Sequence, residues 1–120
     1  MTAALASPVV HLELQTDNLP RACAFYARLF GWSAKTIHAH GSSYLTLELG
    51  RGIQGGVVER DGAGGAWLPY VEVADITHAV QCARLLEAAV LLEPREGFAG
   101  WRSVLAAPSG GEIAVWQPKL

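Results

Sequence analysis

The chain is poor in most of the features that would assign it at once. It has two cysteines, Cys23 and Cys82, which fit no metal motif and are too few for a disulfide framework. Both fall in alanine-rich stretches that read as helical, where buried free thiols are expected, and a reducing cytoplasm is the expected compartment. Positive charge is not in excess: Lys and Arg number 9 against 11 Asp and Glu, for a formal charge of −2. No basic field exists to hold a phosphate backbone, so nucleic acid is excluded as an expected partner. No apolar run approaches the ~18 residues of a membrane span. Met1 to Pro8 lacks the basic and apolar regions of a signal peptide. No membrane partner is expected.

Charged residues make up only 17% of the chain and hydrophobic ones 51%, with a mean hydropathy of +0.23, which excludes a disordered segment. The 120 residues, 12.8 kDa, suffice to bury roughly two thirds of the unfolded surface without disulfide or metal staples. The surplus lies in glycine, 13, and proline, 6, together above the usual ~12%. Many turns follow, and hence many short strands.

The chain also repeats itself. An offset of 57 residues lays Asn18 on Asp75, Ala22 on Ala79, Leu29 on Leu86, Tyr44 on Trp101, Leu47 on Val104 and Val58 on Val115, without a gap. Each half reads as strand, capped helix and three further strands. Val9 to Gln15 alternates, with Val10, Leu12 and Leu14 on one side and His11, Glu13 and Gln15 on the other. Asn18 is placed to cap a helix ending at Phe30, with Pro20 in its first turn and Gly31 as its stop. Ala22, Phe25, Tyr26, Leu29 and Phe30 form its apolar stripe. Strands follow on either side of the turn His40 to Ser43, the second being Tyr44 to Leu49, and a fourth runs from Ile53 to Glu59.

The second half repeats this order. Tyr70 to Val73 is the strand and Asp75 caps a helix to about Ala88. Val90 to Glu93, Trp101 to Ala106 and Glu112 to Trp116 are strands, with a glycine-rich loop at Glu96 to Gly100 and a hairpin turn at Pro108 to Gly111. The units span about residues 8–60 and 67–118, joined by the glycine-rich linker 61–66. Units of ~55 residues are marginal alone and are expected to pack as a single domain.

Alternation sorts each strand into two faces. Leu12 and Leu14, Leu45 and Leu47, Val71 and Val73, and Ile113 and Val115 are expected to cover the helices. The opposite faces are expected to carry His11, Glu13, Gln15, Tyr44, Thr46, Glu48, Tyr70, Glu72, Trp101, Ser103 and Trp116. Aromatic rings mixed with a few polar groups are the lining of a small-molecule pocket, the alternative being an ordinary solvated face with some dimer contact.

The stretches from Val10 to Trp32 (with Asn18, Phe25, Tyr26 and Gly31), from Trp67 to Ile76 and from Ala107 to Trp116 resemble the vicinal oxygen chelate superfamily. That group includes glyoxalase I, bleomycin-resistance proteins and extradiol dioxygenases. The resemblance covers almost the whole chain, although Ala107 stands where the closing hairpin usually has Asp. It implies an α+β fold of two tandem βαβββ units whose curved mixed sheets enclose a cavity, in a protein commonly dimeric.

In metal-dependent members of the family four ligands line that cavity, on the first and fourth strand of each unit. Carried over, His11 occupies the first position, while Leu68, Val57 and Ala114 occupy the others. One coordinating side chain remains of four, where an enzyme site needs about three. No cofactor is expected. A divalent metal stays as the alternative, with Gln54, Glu59 or Glu112 as substitutes if the strand register slips. His38 and His40, two apart beside a turn, and His78, in a first helical turn, read as exposed. The glycines between Gly62 and Gly65 lack the context of a phosphate loop.

Three functions compete. The first is a metal-free protein that binds a small organic molecule, with His11, Glu13, Tyr44, Glu48, Tyr70, Trp101 and Trp116 as its wall. The second is a metal-dependent lyase, isomerase or dioxygenase; without metal, Glu48 or Glu13 would be its general base and His11 its electrophile. The third is a dimeric structural or regulatory module. A homodimer is expected, with Trp32, Trp67 and Phe98 as contact residues.

Overall fold

The computed structural model describes residues 6–39, 42–62, 64–97 and 99–119. Eight strands and two helices lie among them, in two compact units: residues 10–69, and residues 70–119 with the described residues of 6–9.

The first unit contains β1 (Val9–Thr16), α1 (Leu19–Phe30), β2 (Ala34–Ala39), β3 (Ser42–Glu48) and β4 (Gln54–Glu59). Its strands lie in the order β2-β3-β4-β1, antiparallel except for the parallel β1–β4 pair. The second unit repeats this with β5 (Ala66–Glu72), α2 (Ile76–Leu85), β6 (Ala89–Glu96), β7 (Gly100–Ala106) and β8 (Glu112–Pro118). The order is β5-β8-β7-β6, with β5–β8 parallel. A parallel pair needs a long crossover, which the helix and the next two strands supply in each unit. The result is a mixed-sheet α+β fold of two βαβββ units.

Both helices start by the same device. Asn18 Oδ1 accepts from the Arg21 N–H at 3.1 Å, and Asp75 Oδ1 from the His78 N–H at 3.1 Å. Each helix has a second acceptor near the end of its unit's last strand: Glu59 Oε2 takes the Leu19 N–H at 2.9 Å, and Gln117 Oε1 takes the Ile76 N–H at 2.9 Å. Four amide donors that the helices cannot satisfy internally are met in this way. Gly31 ends α1 in the left-handed conformation, φ 73°, with its N–H on the Ala27 carbonyl. The second helix stops at Leu85, short of the expected Ala88, and Glu96 and Gly100, the two ends of the expected loop, belong to the flanking strands.

These pairs correct the single ungapped offset. Helix caps Asn18 and Asp75 are 57 apart, but Glu59 and Gln117, which do the same work, are 58 apart. The ladders agree: Glu13 pairs with Gly56 where Tyr70 pairs with Ala114, so Gly56 and not Val57 is the counterpart of Ala114. The cause lies in the second strand of each unit. Pairing of β2 with β3 is regular, whereas β6 shifts register against β7 between Val90 and Leu92 and again between Leu92 and Arg95. Such bulges put the strands that follow out of phase with those of the first unit.

In the first unit the helix side of the sheet is formed by Leu14, Leu47 and Val57, all buried. In the second, Ile76, Val80, Leu105 and Val115 form the core, with Val73, Ala83, Val90, Trp101 and Ile113 packed around them. The apolar stripe expected on α1 is only partly covered: Phe25, Leu29 and Phe30 are each more than half exposed, and no α1 residue is buried.

Candidate functional site

Because side chains alternate along a strand and cross-strand partners share a face, the ladders fix what lies on the side of each sheet away from its helix. In the first unit one row runs His11–Gln54–Glu48 across β1, β4 and β3, and the next runs Glu13–Gly56–Thr46. Tyr44 continues the β3 side of this face and is partly exposed.

His11 is half-buried, and Gly56 is what makes room for it. A Cβ at Gly56 would lie 3.0 Å from His11 Nε2 and 3.3 Å from Cε1, so the imidazole rests over the bare backbone of β4. Burial lowers the His11 pKa below its ordinary value, and the Glu13 charge only partly opposes this. The ring is therefore neutral near pH 7, with one nitrogen a donor and the other an acceptor. Glu13, beside it, accepts from Gln15 Nε2 at 3.2 Å. Glu48 lies on the same row but is exposed, held by Lys35 at 3.3 Å and by Ser33 Oγ at 3.4 Å. Of the two carboxylates considered as general bases, Glu13 is the one next to His11.

Two expectations are corrected here. Val57 is not on the His11 face: it pairs with Leu14 and Leu45 toward the helix, because β4 is one residue out of the assumed phase. The position at that level facing His11 belongs to Gly56. Glu59 is likewise on the helix side, where it serves α1. Gln54, by contrast, stands directly across from His11 without any slip of β1 against β4. Glu112 is exposed at the start of β8, opposite Ala106. Among the described residues no three His, Cys, Asp or Glu side chains come together as a group able to hold a metal ion.

In the second unit the face away from α2 carries Tyr70 and Glu72 on β5, Ala114 and Trp116 on β8, and Arg102 and Val104 on β7. Leu68, two residues before Tyr70 on β5, is buried, as are Tyr70 and Ala114. The Tyr70 hydroxyl accepts from Arg102 Nη1 at 3.0 Å. Trp116 lies across Gly100, where a Cβ would meet its indole Cζ2 at 2.8 Å.

Trp101 is the third correction. It sits on the helix side, packed against the α2 core, with Lys119 Nζ 5.4 Å from its ring centroid. The same one-residue slip puts Arg102, which sequence reasoning missed, in the place expected for Trp101. Ser103 is also on the helix side, fully buried, its Oγ donating to the Leu92 carbonyl at 2.7 Å. A signal for this was present in the alternation of Trp101, Ser103 and Leu105: a core Leu105 fixes the parity of the other two.

Trp32 and Trp67, expected as contact residues, gather around Tyr26 within the first unit, with ring centroids 5.4 and 5.5 Å from it, and Trp67 Nε1 donates to the Tyr26 hydroxyl at 3.3 Å. Phe98 and His40 lie outside the described residues. His38 and His78 are exposed. Among the described residues no helix is long and apolar enough to cross a membrane.

No protein-family model and no curated protein matches this sequence. Solved structures do match in fold. A hypothetical protein from Bacillus halodurans superposes with a TM-score of 0.73 at 13% identity, covering 97% of each chain. Methylmalonyl-CoA epimerase from Mycobacterium tuberculosis gives 0.70 at 16% identity, over 100% of this chain and 94% of that one. A variant of the Streptomyces coelicolor methylmalonyl-CoA epimerase, in complex with 2-nitronate-propionyl-CoA, gives 0.63 at 16% identity over 95% and 99%. Two βαβββ units, matched from end to end by these structures, give the chain the fold of the vicinal oxygen chelate superfamily.

Proposed function

We propose that this protein binds a small organic molecule on the sheet face that carries His11, as glyoxalase- and bleomycin-resistance-like proteins of this fold do, and that it does so without a resident metal. One observation carries the reading: a half-buried imidazole, held neutral by burial, rests over a glycine on a face that mixes Tyr44 with the polar groups of Glu13, Gln54 and Thr46. Such a face offers a donor and an acceptor to a ligand together with apolar contact. The Streptomyces epimerase, with an organic ligand bound on the same fold, supports this choice of function class.

The donor set does not fit the four-ligand metal centre of the metal-dependent members. Beside His11, the corresponding positions are held by Leu68, Ala114 and Gly56, none of which has a side-chain donor. Thiolate, imidazole and carboxylate are what such centres are built from, and one imidazole alone is no site. The metal-dependent lyase, isomerase or dioxygenase stands as the second reading on one observation, the Gln54 amide directly across from His11 with Glu48 next in the row. A homodimer belongs to the same proposal and is supported by the exposed Phe25, Leu29 and Phe30 of α1.

The test is metal analysis of protein prepared without an affinity tag, with a fluorescence-based ligand screen in the presence and absence of Ni, Zn, Mn and Fe. Metal-free protein that binds a screened compound, and loses it on His11→Ala without loss of fold, supports the reading. A stoichiometric divalent ion, or binding that appears only on adding one, replaces it with the metalloenzyme.

A further inference from the structure

The second unit has a charge arrangement that its own side chains do not explain. Arg95 on β6 and Arg102 on β7 are direct cross-strand partners. Like charges placed opposite one another in an antiparallel pair are destabilising. Among the described residues neither guanidinium has a carboxylate partner; the acidic groups of β6 are taken elsewhere, Glu93 by Arg84 and Glu96 by Lys119. Arg102 is half-buried and donates to the buried Tyr70 hydroxyl, which orients one Nη. A guanidinium presents five donors in a planar fork suited to two oxygens of one acid group.

An apolar platform adjoins the two cations. Trp116 is the cross-strand partner of Arg102 on its other side, and its indole extends over Gly100, two residues from Arg102 on the same face. Beyond Trp116 the row ends at Glu72, two strand spacings or roughly 10 Å from Arg102. The row therefore reads cation, cation, aromatic ring, anion.

We infer that this row is an oxyanion-binding patch, in which Arg102, assisted by Arg95, takes the acid group of a small organic acid whose flat apolar body lies on Trp116. The shared chemistry is a carboxylate or phosphate at one end of the ligand, since Glu72 opposes a second acid group at the other. Every residue of the patch belongs to the second unit, and none of them is on the row that carries His11.

Benzoate, phenyl phosphate and benzamide, titrated to ~50 mM against tryptophan fluorescence and chemical shift, test it, because that range reaches affinities of a few millimolar. Saturable binding of at least one anion, with benzamide weaker by tenfold or more, is expected. Tighter benzoate identifies a carboxylate and tighter phenyl phosphate a phosphate. Arg102→Gln should weaken the anion by about tenfold or more, the usual worth of a charged hydrogen bond, and Arg95→Gln, at an exposed position, by about threefold. Trp116→Phe should remove the fluorescence response. If Arg102→Gln does not fold, Arg95→Gln decides alone. The inference is overturned if neither anion saturates, if benzamide binds as well as benzoate, or if the arginine variants that fold bind like the wild type.

Discussion

Replacing Gly100 by alanine is the sharpest test of the packing in the second unit. A Cβ at this buried position would lie 2.8 and 2.9 Å from Cζ2 and Cη2 of Trp116, and would also meet the Gln117 carbonyl oxygen. Carbon atoms in contact prefer about 3.5–4.0 Å, so the indole would have to retreat by roughly 0.7 Å. The carbonyl has less freedom, because Gly100 pairs with Pro118 and Trp101 with Gln117 in the β7–β8 ladder. Overpacking of this kind costs about 1–3 kcal/mol. With a urea slope of about 2 kcal/mol per molar, the midpoint should fall by about 0.5–1.5 M at unchanged slope. Gly97→Ala is the control. Its Cβ would be 3.6 Å from the Gly100 carbonyl oxygen, an ordinary contact, so the change should stay within about 0.5 kcal/mol. Trp116 emission should shift in Gly100→Ala and not in Gly97→Ala. Equal urea midpoints for the two variants would refute the close approach of indole to backbone.

Two further outcomes follow from the caps and from the buried imidazole. The His11 pKa is lowered in the native state, so the unfolded chain takes up the proton first as pH falls; the contribution to stability is complete above about 6.5 and is lost below it as pH approaches the lowered native value. Urea unfolding from about pH 7.5 to 5 should show wild-type stability declining toward His11→Gln, and a difference between the two that does not change with pH would contradict burial as the cause. Asn18→Ala and Asp75→Ala should each cost about 1 kcal/mol, additively since they cap different helices, as read from thermal or urea midpoints. A cost near zero for either would mean that Glu59 or Gln117 alone satisfies that helix start.

Much of this molecule is legible in the order of its residues. Local signals set the elements: alternation from Val9 onward marks β1, Asn18 and Asp75 mark the helix starts, and Gly31 marks a stop with φ 73°. The twofold repetition of those signals, together with the family resemblance, leads to two βαβββ units, and His11, Glu13, Tyr70 and Trp116 do lie on faces away from the helices. What is not legible is phase. A single offset of 57 holds for the helices and fails for the third and fourth strands, so it puts Val57 and Trp101 on the wrong side.

Caps, turns and alternation are decided within a few residues of themselves, and the sequence by itself determined them. Which side of the sheet a strand presents depends on its register against a partner far along the chain, and a shift of one residue turns every side chain over. One of the two irregularities in β6 falls at Pro94, which has no N–H to give the ladder, but how far they carry the following strands out of phase is set only by the pairing with β7. Only the tertiary pairing of the strands decided that Gly56 makes room for His11 and that Arg102 lies beside Trp116 on the face away from the helix.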